Sequence, residues 1–213
     1  MTHPQPIRFH LDPLCPWCYQ TSRWVRRLEE LGEVSVDWAV FSLAIGNRGD
    51  EGRAVDDQGA APGLRTLVKV RAEHGSAAAG RFYAALGDAV HQRGAAVDDR
   101  QVLTASLREA GLDAGLLQRA LADPATWQQV QEEHDAMVAR HRGFGVPTIV
   151  LEGGEGAAIF GPVIVEVPED DAEAVELWRH VSWLVGYENF AELKRERTRV
   201  PDLASVRKHQ RAA

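Results

Sequence analysis

Two cysteines in 213 residues are too few for a disulfide-stapled scaffold. No stretch approaches the roughly 18 consecutive apolar residues that cross a bilayer. Met1-Thr2-His3-Pro4-Gln5-Pro6 has neither a basic n-region nor an apolar h-region, so the expectation is a cytoplasmic protein without a membrane partner. The charge balance, 24 basic against 31 acidic residues for a net −7, argues against nucleic acid as the main partner. No dinucleotide or flavin fingerprint occurs, so no tightly bound cofactor is expected. Gly153-Gly154-Glu155-Gly156 is glycine-rich, yet no lysine or helix follows it, which excludes a phosphate loop and leaves a turn.

What remains is an ordinary composition, 45% hydrophobic and 26% charged, that suits one domain or one domain with a large insertion. Its two cysteines stand together as Cys15-Pro16-Trp17-Cys18. A strand-like run, Ile7 to Leu11, precedes them, and a helix-like run, Tyr19 to Leu31, follows. Cys15 is then at or beside a helix N-cap with Pro16 at the first helical position, where its missing N–H does no harm. Unpaired N–H groups and the positive end of the helix dipole favour a Cys15 thiolate. Cys18, one turn deeper, is placed to attack a mixed disulfide on Cys15. Three blander readings compete. A zinc half-site lacks a second CxxC, and His134 and His141 lie seven apart, so no metal is expected. A permanent disulfide is disfavoured in a reducing compartment. Inert buried thiols remain as the third.

A second strand over Val34–Phe41 completes a βαβ unit, with Trp24, Val25 and Leu28 on the helix's buried face. Ile45 to Ala61 reads as a loop. Helices follow without any strand signal until about residue 146. Phe82, Leu86, Ala89 and Val90 form one apolar stripe. Asp98 or Asp99 caps the helix carrying Leu103 and Leu107. Asp123-Pro124 opens a helix with Trp127, Val130, His134 and Val138 on one face. Strands Thr148–Leu151 and Ala157–Phe160 then form a hairpin. Helices are expected near Glu169–Leu184 and Tyr187–Arg197, and the last dozen residues are expected to fray.

Gly145-Val146-Pro147-Thr148 opens the first strand after the helical block, where Pro147 is a candidate cis-proline. Other candidates carry less chemistry. Asp12 can tune the thiolate or pass protons to Cys18, or be only a turn carboxylate. Trp17 can stack on an aromatic acceptor or merely wall the site. His91 can face the cleft as a proton donor or complement its helix dipole. Asn47 and Arg48 can hold a polar group of a thiol or belong to a solvated loop. Lys194-Arg195-Glu196-Arg197 reads as a solvated helix face.

With CxxC after the first strand, Val-Pro-Thr before the third and helices between, the chain resembles the DsbA type of thioredoxin fold. That is an α/β fold with residues 1–45 and 141–213 as a split thioredoxin-like domain around a helical insertion, 46–140. The longer matches are similar to the actinobacterial mycothiol-dependent nitroreductase subfamily. They are Asp12-Pro13-Leu14-Cys15-Pro16-Trp17-Cys18, Thr21-Ser22-Arg23-Trp24, Phe41-Ser42-Leu43-Ala44, Phe160-Gly161-Pro162-Val163, Leu177-Trp178, and Phe190 through Thr198. Tyr19 departs from the pattern, which has Trp after the second cysteine, and Gly46 to Gly59 diverges.

The resemblance implies a thiol–disulfide oxidoreductase. Its reductant would be mycothiol or a similar low-molecular-weight thiol, and its acceptors small-molecule or protein disulfides or nitro-aromatic compounds. It implies that Pro147 is cis and that the Val146 backbone pairs with the bound thiol or substrate, with Pro16, Trp17 and Tyr19 as walls. The chain is expected as a monomer or homodimer. Two alternatives stay open. Kappa-type glutathione transferases and 2-hydroxychromene-2-carboxylate isomerases share the inserted helices but use a single Ser or Cys, against which Cys18 argues. A non-catalytic module with a redox-sensing CxxC is the other.

Overall fold

The computed structural model describes residues 3–54 and 59–212. The chain runs β1 (Gln5–Leu11), α1 (Pro16–Glu30) and β2 (Val34–Val40). Helices α2 (Leu43–Arg48), α3 (Asp50–Arg53), α4 (Ala61–His74), α5 (Ser76–Gly87), α6 (Arg100–Glu109), α7 (Gly115–Ala122) and α8 (Ala125–His141) follow. The chain closes with β3 (Thr148–Leu151), β4 (Ala158–Phe160), α9 (Asp171–Gly186) and α10 (Ala204–Ala212).

The strands form one sheet in the order β2-β1-β3-β4. β1 and β2 are parallel, Phe9 opposite Trp38, as a right-handed βαβ crossover requires. β3 runs antiparallel to both β1 and β4, so Thr148 to Phe160 is the expected hairpin. Gly153 and Gly154 take the left-handed φ values of 66° and 108° that its turn needs.

Alternation along β1 buries Ile7, Phe9 and Leu11 completely. Trp24, Val25 and Leu28 of α1 are likewise fully buried. The Trp24 indole N–H donates to the Ala174 carbonyl at 3.0 Å, and its ring lies 6.0 Å from that of Trp178, joining α1 to α9. On β2, the Trp38 ring meets Phe9 edge-on at 5.4 Å and Tyr83 of α5 at 6.1 Å. The helical block is also tied to β2 by charge. Arg71 of α4 and Glu133 of α8 form an ion pair, Arg71 donates to the Trp38 carbonyl at 2.9 Å, and Glu133 accepts the Val40 N–H at 3.1 Å. Each partner therefore satisfies a β2 edge group that burial would otherwise leave unpaired.

Four expectations need correction. The segment Ile45–Ala61 is not a plain loop, because it holds α2 and α3. Ser42 caps α2 by accepting the Ile45 N–H at 3.3 Å, and Ile45 is buried. Residues 55–58 of that segment lie outside the described residues. On α8, Met137 rather than Val138 continues the buried face: positions three and four beyond His134 are both neighbours of it on the helix surface, and here Met137 is 2% exposed and Val138 39%. Tyr187–Arg197 is not helical. α9 continues to Gly186, and the following chain is an extended strap exposed at every residue from 191 to 199, with no face to bury against a neighbour. Finally, the described residues after Val200 are not a frayed tail: Pro201 and Leu203 are buried and α10 docks on the turn that follows α5.

Candidate active site

β1 ends at Leu11, and Asp12 folds the chain back into α1. The Cys15 N–H donates to the Asp12 carbonyl at 3.0 Å. The Asp12 carboxylate accepts the Leu14 N–H through one oxygen and the Leu43 N–H through the other, both at 2.8 Å. It thus pins the cysteine turn to the start of α2. Asp12 is 1% exposed, and burial pushes its carboxyl up to about 6 despite those two N–H donors.

Cys15 is the N-cap of α1 and Pro16 its first residue. The Cys15 Sγ accepts the Cys18 N–H at 3.3 Å, and both thiols are free. The Cys18 thiol hydrogen-bonded to it, together with the N–H groups of Cys18 and Trp17, holds Cys15 below the ordinary thiol range, against burial and the charge of Asp12. Cys18 is fully buried and is driven well above that range, first by desolvation and then by Cys15 itself. Two chemically identical side chains three residues apart therefore differ in opposite directions.

Across from Cys15 stands the other half of the site. Its Sγ lies 3.6 Å from the Val146 carbonyl, and the Val146–Pro147 peptide is cis. The Pro147 carbonyl accepts the Gly161 N–H at 2.8 Å, and Thr148 Oγ1 donates to the Gly145 carbonyl at 2.9 Å. α1 reaches the same loops from below. Gln20 Nε2 donates to the Val165 carbonyl at 2.7 Å and Thr21 Oγ1 to the Pro162 carbonyl at 2.8 Å. Sequence reasoning did not single out Gln20 and Thr21. The available signal was their polarity on the helix face that also carries Trp24, where a buried polar group needs a partner.

The remaining candidates scatter. Trp17 is half-buried, with the Arg197 guanidinium 5.6 Å from its ring centroid. Tyr19 is 1% exposed and turns towards the helical block, so it does not wall an open cleft. Its hydroxyl donates to Asp88 at 2.5 Å, and burial pushes its pKa up to about 12. Gly87 permits that approach, since a Cβ there would sit 2.6 Å from Tyr19 Cδ2. His91 does not face the cleft either. It is 1% exposed in a wide helical turn after α5 and stacks on Tyr19 at 5.1 Å. Its Nε2–H donates to the Pro13 carbonyl at 3.0 Å and its Nδ1 accepts from Ser205 at 2.8 Å; burial lowers its pKa to about 4, so the ring is neutral. Asn47 and Arg48 are exposed on α2. Among the described residues no group of three His, Cys, Asp or Glu is arranged to hold a metal, and no helix is long and apolar enough to cross a membrane.

The family model of the Rv2466c-like proteins, described as mycothiol-dependent nitroreductase Rv2466c, matches residues 14–195. The chain belongs to this family. A relative, the uncharacterized protein Rv2286c of Mycobacterium tuberculosis (strain ATCC 25618 / H37Rv), is 34% identical over 194 residues, covering 90% of this chain and 82% of that protein. The cytosolic disulfide reductase DsbM from Pseudomonas aeruginosa, solved with GSH, is 19% identical at a TM-score of 0.60 over 83% of this chain and 99% of that one. The probable DsbA oxidoreductase SCO1869 from Streptomyces coelicolor is 17% identical at 0.54, over 91% and 94%. A 2-hydroxychromene-2-carboxylate isomerase aligns at 0.61 with 16% identity, over 84% and 95%. At these identities the structures establish the DsbA-like, thioredoxin-type fold. The Rv2466c-like membership adds that this is a family of thiol oxidoreductases.

Proposed function

We propose that the protein is a cytoplasmic thiol–disulfide oxidoreductase in which Cys15 is the nucleophile and Cys18 the resolving thiol. The observation that carries this reading is the inequality of the two thiols around one helix N-terminus, Cys15 stabilised as an anion and Cys18 held protonated. Residues 46–140 act as a helical roof over a thioredoxin-like body formed by 1–45 and 141–213.

The Cys15 thiolate attacks one sulfur of a substrate disulfide. A bond forms between Sγ and that sulfur, the S–S bond breaks, and the departing thiolate takes a proton from solvent. The Val146 carbonyl, 3.6 Å from Sγ, lines the path of approach. Cys18 then loses its proton and attacks Cys15 Sγ, releasing the second substrate thiolate and leaving a Cys15–Cys18 disulfide. Two electrons have left the enzyme. Two equivalents of mycothiol, or a comparable thiol, restore the dithiol and become one thiol disulfide. For a nitro-aromatic acceptor the same two electrons and the two thiol protons give a nitroso compound and water. Asp12 couples this chemistry to pH, because its ionised carboxylate disfavours both thiolates and its protonated form does not.

The test is trapping. With an excess of a model disulfide, Cys18→Ser accumulates a mixed disulfide on Cys15 that intact-mass measurement detects. An equal yield from Cys15→Ser overturns the assignment. Multiple turnovers of the disulfide with thiol present distinguish an enzyme from a sensor, which reacts once.

A further inference from the structure

Beyond Trp17 the surface opens into a groove that the thiol chemistry does not use. It comprises two cavities of about 540 and 380 Å³ that share Ile159, Phe160, Leu193, Lys194 and Arg197. Together they fall within the size range of small-molecule sites. The floor is apolar, built from Ile159, Phe160, Pro162 and Val163, and is fixed to the redox half-site by the Gly161-to-Pro147 and Thr21-to-Pro162 hydrogen bonds. Phe144, 78% exposed, packs its ring 4.9 Å from that of Phe160 at the far end. Trp17, which lies between the two cysteines and next to Cys18, closes the near end.

The wall over this floor is the strap after α9, and its charge is unbalanced. Arg199 is paired with Glu166. Arg142, Lys194, Arg195 and Arg197 line the groove and have no carboxylate within ion-pair distance among the described residues. Only Glu192 and Glu196 offset these four cations along the lining. Arg197 stands over Trp17, so the cation nearest the thiols is also a stacked one. Cations left unpaired over an apolar floor are a poor arrangement for solvent alone and a good one for a ligand that brings both an apolar body and a negative charge.

We propose that this groove is the acceptor subsite and that it selects aromatic compounds bearing a carboxylate, the ring lying on Phe160 and Trp17 and the carboxylate meeting Lys194 and Arg197. The proposal rests on the oxidoreductase reading only in taking the occupant as an electron acceptor.

The experiment separates the two. A Cys15→Ser/Cys18→Ser protein, unable to exchange thiols, is titrated by Trp fluorescence with 4-(phenylthio)benzoate and with the matching neutral carboxamide. The carboxylate is expected to bind about tenfold more tightly at low salt. Lys194→Glu/Arg197→Glu in the same background is expected to reduce that preference to about twofold or less, and high salt to narrow it. Equal affinity of the two ligands, or a preference unchanged by the charge reversal, overturns the proposal. Wild-type turnover of bis(4-carboxyphenyl) disulfide and its bis-carboxamide then tests the enzyme reading alone. Turnover of neither, with the binding preference intact, removes that reading and leaves the anion subsite standing.

Discussion

The turn from Asp12 to Tyr19 and the strap from Phe190 to Arg199 meet at Trp17, and they are built in opposite ways. In the turn all but Leu14, Pro16 and Trp17 are buried, and the backbone N–H groups are bonded close by: Cys15 to the Asp12 carbonyl, Tyr19 to the Cys15 carbonyl, and Leu14 and Leu43 to the Asp12 carboxylate. Along Ala191–Val200 no backbone–backbone hydrogen bond is made among the described residues; the strap is held by side chains, Arg197 on Trp17 and Arg199 with Glu166. Reactivity of a thiol depends on dipoles and desolvation fixed to fractions of an ångström, which only a packed and fully bonded backbone supplies. Recognition of varied small molecules tolerates a looser wall. On the proposed reading, chemistry belongs to the turn and selection to the strap.

The largest break of this contrast is in the turn. Cys15→Ser is expected to abolish disulfide turnover, a fall of at least about 10³-fold, since serine at this pKa range is no nucleophile for sulfur. A steady-state assay with thiol in excess reads it, and residual turnover above that level would move the nucleophile elsewhere. Support beneath the turn comes next. Trp24→Ala removes a fully buried side chain and the bond to Ala174, and is expected to cost about 3–5 kcal/mol in urea unfolding. Leu193→Ala, at 78% exposure in the strap, is expected to stay within about 0.5 kcal/mol. Similar losses from both would erase the distinction between the two regions.

The same contrast explains what could be seen in advance. The CxxC, its helix and the hairpin were legible because each follows from local rules: a cap with Pro after it, strand alternation, and glycines in a turn. Pro147 was a candidate only through its place in the order of strands and helices, since a Val-Pro bond taken alone is most often trans. Tyr187–Arg197 misled because a 3–4 spacing of Phe190, Leu193 and Arg197 mimics a helix, while nothing in the sequence says whether a surface exists to receive its face. His91 and Ser205 were not legible as a pair, since their bond spans a sequence separation of 114 residues and depends on where α10 docks. Tyr19, adjacent to the motif, was assigned to the cleft because a sequence gives the order of residues along α1 but not the partner, Asp88, that turns its ring away.

Asp12 gives a prediction of intermediate size and definite sign. Its carboxyl rises from 3.8 to about 6 on folding, so between those values the native state binds the proton more tightly than the unfolded chain. That contribution is present at pH below 3.8, is lost as pH rises to about 6, and amounts to roughly 3 kcal/mol for a shift of about two units. His10 and His91, both lowered to about 4 by burial, act with the opposite sign: they cost stability as pH falls from 6.5 towards 4. In wild type the two trends oppose each other. Asp12→Asn removes the first, so stability followed by urea midpoints should climb more steeply with pH across that window. A flatter profile in the variant would contradict the burial argument. The same variant should lower the Cys15 pKa, followed by thiolate absorbance, because the carboxylate charge no longer disfavours the anion.

The smallest effect tests where the strap is anchored beyond the groove. Ser205 donates to His91 Nδ1 at 2.8 Å, and His91 in turn donates from Nε2 to the Pro13 carbonyl at 3.0 Å, two residues before Cys15. The neutral imidazole fixes the direction of both bonds: a carbonyl only accepts, so Nε2 carries the hydrogen and Nδ1 takes the serine's. Ser205→Ala leaves Nδ1 buried without a donor and should cost about 1 kcal/mol. The cost should be local. Amide exchange should quicken in α10 and in the Asp88–Gln92 turn while β1 and α1 keep their protection, since the Pro13 carbonyl retains its own partner. Faster exchange spreading into the cysteine turn would instead show that the turn's rigidity is borrowed from the C-terminal helix, and the division between a self-sufficient reactive turn and a side-chain-tethered strap would have to be redrawn around His91.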